Sequence, residues 1–400
     1  MSGQIEYREY RAQDFESFHA LHDAVFPPVS ADQMREWMAR PDVTAGVAVR
    51  DGEVLGEIPL HIREFVLRPG VTARLAFEHS VCVREELRGQ GVGSALQDAM
   101  KDFLVGRADC LAVFRGGERT PGYRYYDKNG LRDTCYLRSQ KLADPSAVAE
   151  SDLALQDISQ VVEREAEVLA VFASAFGGCG GYQARGPGFF GPALRNLQWL
   201  ELQNEFGVYL VDDEAGLAGY CIVSPRQLRS ETVQIMELAT REGCPDLAER
   251  LVRSACSLAA DQRAGISVTC QDGARYSALY AKLGFVGAPR GAMIMVAPVD
   301  WEALAAQVWQ PQLQLEQVRV DLWTAEEEVT VHRPEGRVER TLVLEMKHHQ
   351  AVRWLVSRLD LGAAVRQETV SCLGAGPEDL AALARAIPFN AWAVQTIDHI

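Results

Sequence analysis

The sequence predicts a mixed α/β architecture: two successive domains of similar plan, each a mixed sheet with helices, followed by an α+β domain. Three observations predict it. Hydrophobic periodicity alternates between strand and helix along the chain. The run Tyr125-Tyr126-Asp127-Lys128-Asn129-Gly130-Leu131 recurs in register as Leu279-Tyr280-Ala281-Lys282-Leu283-Gly284-Phe285, each copy closing a similar series of elements. Strand character with period two then dominates beyond residue 300. A chain of 400 residues exceeds one ordinary core, which agrees with several domains.

In the first block, Phe15, Phe18, Leu21, His22 and Val25 stand at helical spacing over 12–25. Two strands between Gly46 and Leu67 are joined by Asp51-Gly52, a strong hairpin signal. Residues 73–83 read as one strand that runs into a glycine turn, and 94–107 as the helix after it. A short strand at 109–114 precedes a helix ending at Gly130. Residues 142–152 are small, polar and proline-containing, as in a linker. The second block repeats hairpin (207–225), strand (233–240), helix (246–262), strand (265–270) and glycine-ended helix (276–287). In the third, 318–324, 328–334 and 340–346 alternate as strands, while 348–361 and 377–387 read as amphipathic helices. The domain limits so drawn are 1–142, 152–298 and 299–400.

Composition narrows the function. Hydrophobic residues make up 48% and charged residues 24%, as in globular proteins. No stretch approaches the ~20 apolar residues that a membrane helix requires. The first residues are polar and acidic, unlike a secretory leader, so the expected compartment is the cytoplasm. A net charge of −15 argues against nucleic acid and suits a cationic ligand. The nine cysteines show no C-x-x-C and no metal-ligand spacing; Cys82, Cys221, Cys256 and Cys270 lie in apolar runs and read as buried thiols, and no metal is expected.

The segment that carries chemistry is Val81-Cys82-Val83-Arg84-Glu85-Glu86-Leu87-Arg88-Gly89-Gln90-Gly91-Val92-Gly93-Ser94. A strand ends, turns through glycines and opens a helix. The free N–H groups of such a turn and the helix dipole bind a pyrophosphate. Glycines 89, 91 and 93 let the backbone approach it, and Arg88 adds a charge-assisted contact. The G-K-[ST] of a nucleotide P-loop is absent. Glu78 and His79 are candidate bases on one strand; they face opposite sides, so one of the two at most faces the cleft. Phe26, Trp37 and Trp199 are candidates for an amine pocket.

Arg88, Gly91 and Gly93 fill, in order, the pattern Arg or Gln, two residues, Gly, one residue, Gly or Ala. That string resembles the acyl-CoA motif of the GNAT superfamily of N-acetyltransferases. The resemblance implies that Arg88, Gly89, Gln90, Gly91, Val92, Gly93 and Ser94 bind the pyrophosphate of acetyl-CoA, the co-substrate. It implies that Val81, Cys82 and Val83 hold the pantetheine arm, with a backbone N–H, that of Val83, on the thioester carbonyl. Tyr126 would protonate the leaving thiolate. In the second block, residues 236–247 lack the glycine spacing, which implies a degenerate copy. Two such domains followed by a strand-rich one resemble the tripartite enhanced intracellular survival family, whose third domain is like a sterol carrier protein. The run from Ile387 to Trp392 and the last four residues support this. In that family the terminal carboxylate acts as a base, a role that falls here on Ile400, although the family more usually ends in an aromatic residue. The implied activity is direct acetyl transfer to the primary amine of a small, cationic acceptor, by a homo-oligomer. The rival from another class is a non-catalytic acyl-CoA- or lipid-binding protein.

Overall fold

In the computed structural model of the chain, which describes residues 3–116, 120–200, 206–224, 232–271, 274–287 and 292–395, the first hairpin turns where the sequence places it. Asp51 and Gly52 take φ of 53° and 82°, the left-handed pair that a two-residue turn between twisted strands demands. The backbone packs into two compact units. One comprises Met1–Leu67, Val71–Cys135 and Met293–Asn390; the other, Arg68–Gly70, Tyr136–Ala292 and the described part of Ala391–Ile400.

The first unit opens with β1 (Glu6–Glu9), α1 (Phe15–Val25) and α2 (Ala31–Met38). Then follow β2 (Val43–Arg50), β3 (Glu53–Arg68), β4 (Val71–Glu78) and β5 (Cys82–Val83). The rest are α3 (Val92–Leu104), β6 (Cys110–Gly116), α4 (Pro121–Lys128) and β7, which begins at Arg132 and runs to Leu142. Its sheet runs β1-β2-β3-β4-β6, then the strand Ala292–Pro298, then β7. That inserted strand follows the second block in the chain, yet Thr134 Oγ1 on β7 donates to its Ile294 carbonyl at 3.0 Å.

Packing explains α3. Its buried stripe is Val92, Leu96, Gln97, Met100 and Leu104, at helical spacing. It lies so close to β2 that a Cβ on Gly46 would sit 2.6 Å from Met100 Cγ; glycine there is a condition of the contact.

Two runs that read as continuous are broken. Residues 73–83 are not one strand. Pairing with β6 ends at Phe77, His79 N still donates to Pro59 O of β3 at 2.9 Å, Ser80 takes φ 42°, and β5 resumes on β3. Residues 348–361 are not one helix. His348–Leu355 ends before Ser357, at φ 62°, and Asp360 caps a new helix, Leu361–Arg366, by accepting from Ala363 N at 2.8 Å. The four-stranded sheet of this carboxy-terminal part has the order 328–332, 318–323, 340–346, 370–373. Its core includes the fully buried Trp354.

In the second unit, residues 137–142 pair antiparallel with Gly265–Gln271, which runs parallel to Thr232–Thr240. The hairpin Gly207–Asp213 and Gly216–Ser224 completes the series with Gln156–Asp157 at the edge. Its two long helices are Glu165–Phe176 and Pro245–Asp261. The buried Glu237 meets Arg185 in a bidentate pair at 2.7 and 2.6 Å and accepts from the Tyr220 hydroxyl at 2.6 Å. The Arg185 guanidinium lies 3.6 Å over the Phe172 ring. All nine cysteines are free thiols, and Cys82, Cys221, Cys256 and Cys270 are buried as expected. Among the described residues no helix is long and apolar enough to cross a membrane, and no cluster could hold a metal ion.

Breaking the buried pair from one side leaves a charge in the core. Arg185→Ala should cost about 3–5 kcal/mol. Arg185→Met with Glu237→Gln, which removes both charges and keeps an acceptor for Tyr220, should recover more than half of that. Thermal and urea denaturation of the three proteins checks the order.

Candidate active site

The opening in the first unit's sheet makes the site. β4 and β6 pair in parallel through Leu75–Cys110, Ala76–Leu111 and Phe77–Ala112, and there the named register ends. Beyond it β5 joins β3 through Glu57–Cys82 and Gly56–Val83. A cavity of about 670 Å³ fills the gap, lined by Glu78 and Ser80–Val83 on one side and Val113–Arg115 on the other. Antiparallel alternation fixes where the β5 backbone points. Arg84 N donates to Leu55 O at 2.9 Å, so the adjacent Val83–Gly56 pair is the non-bonded kind. The Val83 N–H and C=O therefore turn away from β3. The carbonyl is met by Arg88 Nε at 3.1 Å.

At the floor of the cavity stands the amino end of α3. Gly91 is its N-cap at φ 85°, and no side chain caps it. A Cβ on Gly89 or Gly91 would meet nothing within 4 Å, so these glycines serve conformation and open space rather than packing. The first-turn N–H groups and the positive end of the helix dipole thus face a void fit for an anion.

The sequence-named residues are mostly brought together. Val81, Cys82, Val83, Arg88, Gly89, Gly91, Val92, Gly93, Ser94 and Tyr126 all line the cavity. Gln90 is not among the lining residues: its N–H donates to Leu87 O at 3.3 Å and its amide to Glu86 O at 2.7 Å, so it closes the turn. Ile400 lies outside the described residues. Of the aromatic candidates, Phe26 lines the cavity, Trp37 packs edge-on against His79 instead, and the Trp199 side chain is outside the described ones.

Strand alternation separates the two candidate bases. His79 turns to the face that holds Trp37 and His61, and burial keeps both imidazoles neutral, His61 being lowered to about 4. Glu78 turns into the cavity. Its Oε1 accepts from Gln97 Nε2, while Oε2 has no partner among the described residues. Burial pushes its carboxyl up to about 8, against the opposing hydrogen bond from Gln97 and the charge of Lys101.

Tyr126, on α4, is 5% exposed and packs edge-on against Tyr125, with ring centres 5.0 Å apart. Burial, then the neighbouring Glu78, raises its hydroxyl above the ordinary range, so it is a proton donor at neutral pH. Arg115 lies 5.9 Å over its ring. The Cys82 thiol is also raised, first by burial and then by Glu57, and is no nucleophile.

Sequence reasoning gave Tyr125 only as a packing neighbour of Tyr126, as it is, and did not find Gln97 or Arg115. The available signal was Gln97, a polar residue on the buried stripe of α3.

An opened sheet with an uncapped helix end at its mouth can receive a linear ligand that carries an anionic group. Residues 7–131 match the acetyltransferase (GNAT) family. Its fold is shared over nearly its whole length with solved structures. A conserved protein of unknown function from Enterococcus faecalis superposes with a TM-score of 0.72 at 10% identity, covering 99% of both chains. A GCN5-related N-acetyltransferase from Anabaena variabilis gives 0.67 at 14% identity over 98% of this chain and 100% of that one. Eis1 from Mycobacterium abscessus gives 0.62 at 15% identity over 99% and 100%. These similarities establish tandem mixed-sheet domains with a small carboxy-terminal sheet. Comparison with curated protein sequences found no match.

Two outcomes follow from this geometry. Gly91→Asp places a side chain at a left-handed position and a carboxylate at the helix end, and should weaken acyl-CoA binding by more than about tenfold. Calorimetric titration with acetyl-CoA measures it. The second concerns stability. An unfolded Glu78 ionises near 4.5 and the folded one near 8, so the folded state keeps its proton longer and stability falls as pH rises between those values. Glu78→Gln should melt close to wild type at pH 5 and above it at pH 8–9.

Proposed function

We propose that the chain transfers an acetyl group directly from acetyl-CoA to the primary amine of a small, cationic acceptor. The observation that carries this reading is the convergence of three groups on one cavity. They are the uncapped start of α3, the outward Val83 N–H and the Tyr126 hydroxyl, with the unpaired oxygen of Glu78 beside them.

In this reading the α3 turn holds the pyrophosphate, and residues 81–83 pair with the pantetheine amides as an added strand does. The Val83 N–H donates to the thioester carbonyl, where negative charge grows as the amine attacks. Glu78 accepts the proton that the amine nitrogen sheds. A carboxylate with a midpoint near 8 is a far stronger base than an ordinary one, and it is still partly ionised at neutral pH. The tetrahedral intermediate collapses by breaking the C–S bond, and the Tyr126 hydroxyl gives its proton to the departing sulfur. Among the described residues that hydroxyl has no hydrogen-bond partner, so it is available to the sulfur. The net charge of −15 favours a cationic acceptor by attraction at long range.

In the second unit the corresponding strand end carries Glu237, neutralised by Arg185, beside a cavity of only about 30 Å³. We read that half as architectural.

Thiol release from acetyl-CoA, measured against a panel of mono- and polyamines, tests the function. Wild type should release thiol only with amine present, and Tyr126→Phe should lower kcat by about 10²–10⁴ while acetyl-CoA still binds. Tight acetyl-CoA binding without release for any amine would favour a binding protein. Neither binding nor release would overturn the reading of the cavity.

A further inference from the structure

Gln97 occupies a position on α3 that the helix pattern reserves for an apolar side chain, and it is fully buried there. A polar group so placed needs partners, and both ends of its amide have one. Nε2 donates to Glu78 Oε1. Oε1 lies 2.9 Å from the Tyr125 hydroxyl, which is also 2.9 Å from the Gly93 carbonyl. A carboxamide can present its N–H₂ to Glu78 only with its oxygen turned the other way, where it shares the single Tyr125 hydroxyl proton with the Gly93 carbonyl. Gly93 makes room for the donor: a Cβ there would come within 3.2 Å of the Tyr125 ring.

Resting on the reading of Glu78 as the base, we propose that Gln97 and Tyr125 are positioning residues for it. They hold the Glu78 carboxyl toward the acyl-transfer cavity and tie it to the first turn of the helix that receives acyl-CoA. The glycine at 93 thereby has a second duty beside letting a phosphate approach. The charged and titratable groups facing this carboxyl are Lys101 from α3, Tyr125 and Tyr126 from α4, and Arg115 from β6, which lines the same cavity. None of them donates it a hydrogen bond among the described residues; Gln97 does. Removing Gln97 leaves burial opposed by the Lys101 charge alone, so the carboxyl retains its proton to higher pH.

The test is the pH profile of kcat/KM for an acceptor whose amine titrates outside the window, at saturating acetyl-CoA, on the full chain. Gln97→Leu should move the rising limb to higher pH by roughly one to two pH units and lower kcat at pH 7 by about tenfold or more. The KM for acetyl-CoA should change by less than about threefold, since no phosphate contact is removed. Tyr125→Phe, which deletes one hydroxyl and supplies the measurement if Gln97→Leu fails to fold, should move the limb the same way by a smaller amount. Rate losses with the limb unmoved in both variants would show packing alone and overturn the proposal. Glu78→Gln separates the two levels. If it abolishes the limb while the other variants leave it in place, the relay falls and the base stands; if it leaves rate and limb unchanged, both fall.

Discussion

The site depends on one break in hydrogen bonding. While β4 and β6 stay paired, the sheet is closed and has no place for a ligand; once the pairing ends at Phe77 and Ala112, the following residues keep only their other neighbour, β3. β5 stays on β3, at the expense of a left-handed Ser80, a backbone strain of about 1–3 kcal/mol that the surrounding register holds in place. The backbone groups turned away from β3 then face a cavity instead of a strand. A linear arm with amides is their natural complement.

The two units handle the same problem differently. Each carries a glutamate near the end of the strand that leads to its helix, Glu78 in one and Glu237 in the other. Glu237 is satisfied on both oxygens, by two guanidinium hydrogen bonds and a tyrosine hydroxyl. Glu78 is satisfied on one. A fully paired carboxylate stabilises or specifies packing; a half-paired one in a cavity holds its proton loosely enough to exchange it near pH 8.

Much of the fold was legible because short-range chemistry dictates it. Asp51-Gly52 permits one kind of turn, and the glycines at 89 and 91 sit at positive φ where the motif needs them. The breaks at Ser80 and Ser357 were not legible, since both lie inside runs whose hydrophobic pattern continues through them; what decides them is competition between neighbouring strands or the capping strength of Asp360. The strand Ala292–Pro298 was not read at all, since its apolar run shows no alternation, and its place between β6 and β7 follows from pairing alone. In the site, spacing marked the glycine turn and the family resemblance marked Tyr126, and both line one cavity. The choice between Glu78 and His79 required knowing which face the cavity occupies. Gln90, inside the motif, turned out to close the turn because its backbone N–H is already used.

The missing cap of α3 has a consequence for the protein outside the reaction. Helix starts without a side-chain acceptor lose about 1 kcal/mol and fray. On the proposed function, the acceptor oxygens there are those of acyl-CoA, and the helix is complete only with that donor bound. On that reading, resistance to heat and proteolysis rises with the logarithm of donor concentration once that exceeds the dissociation constant.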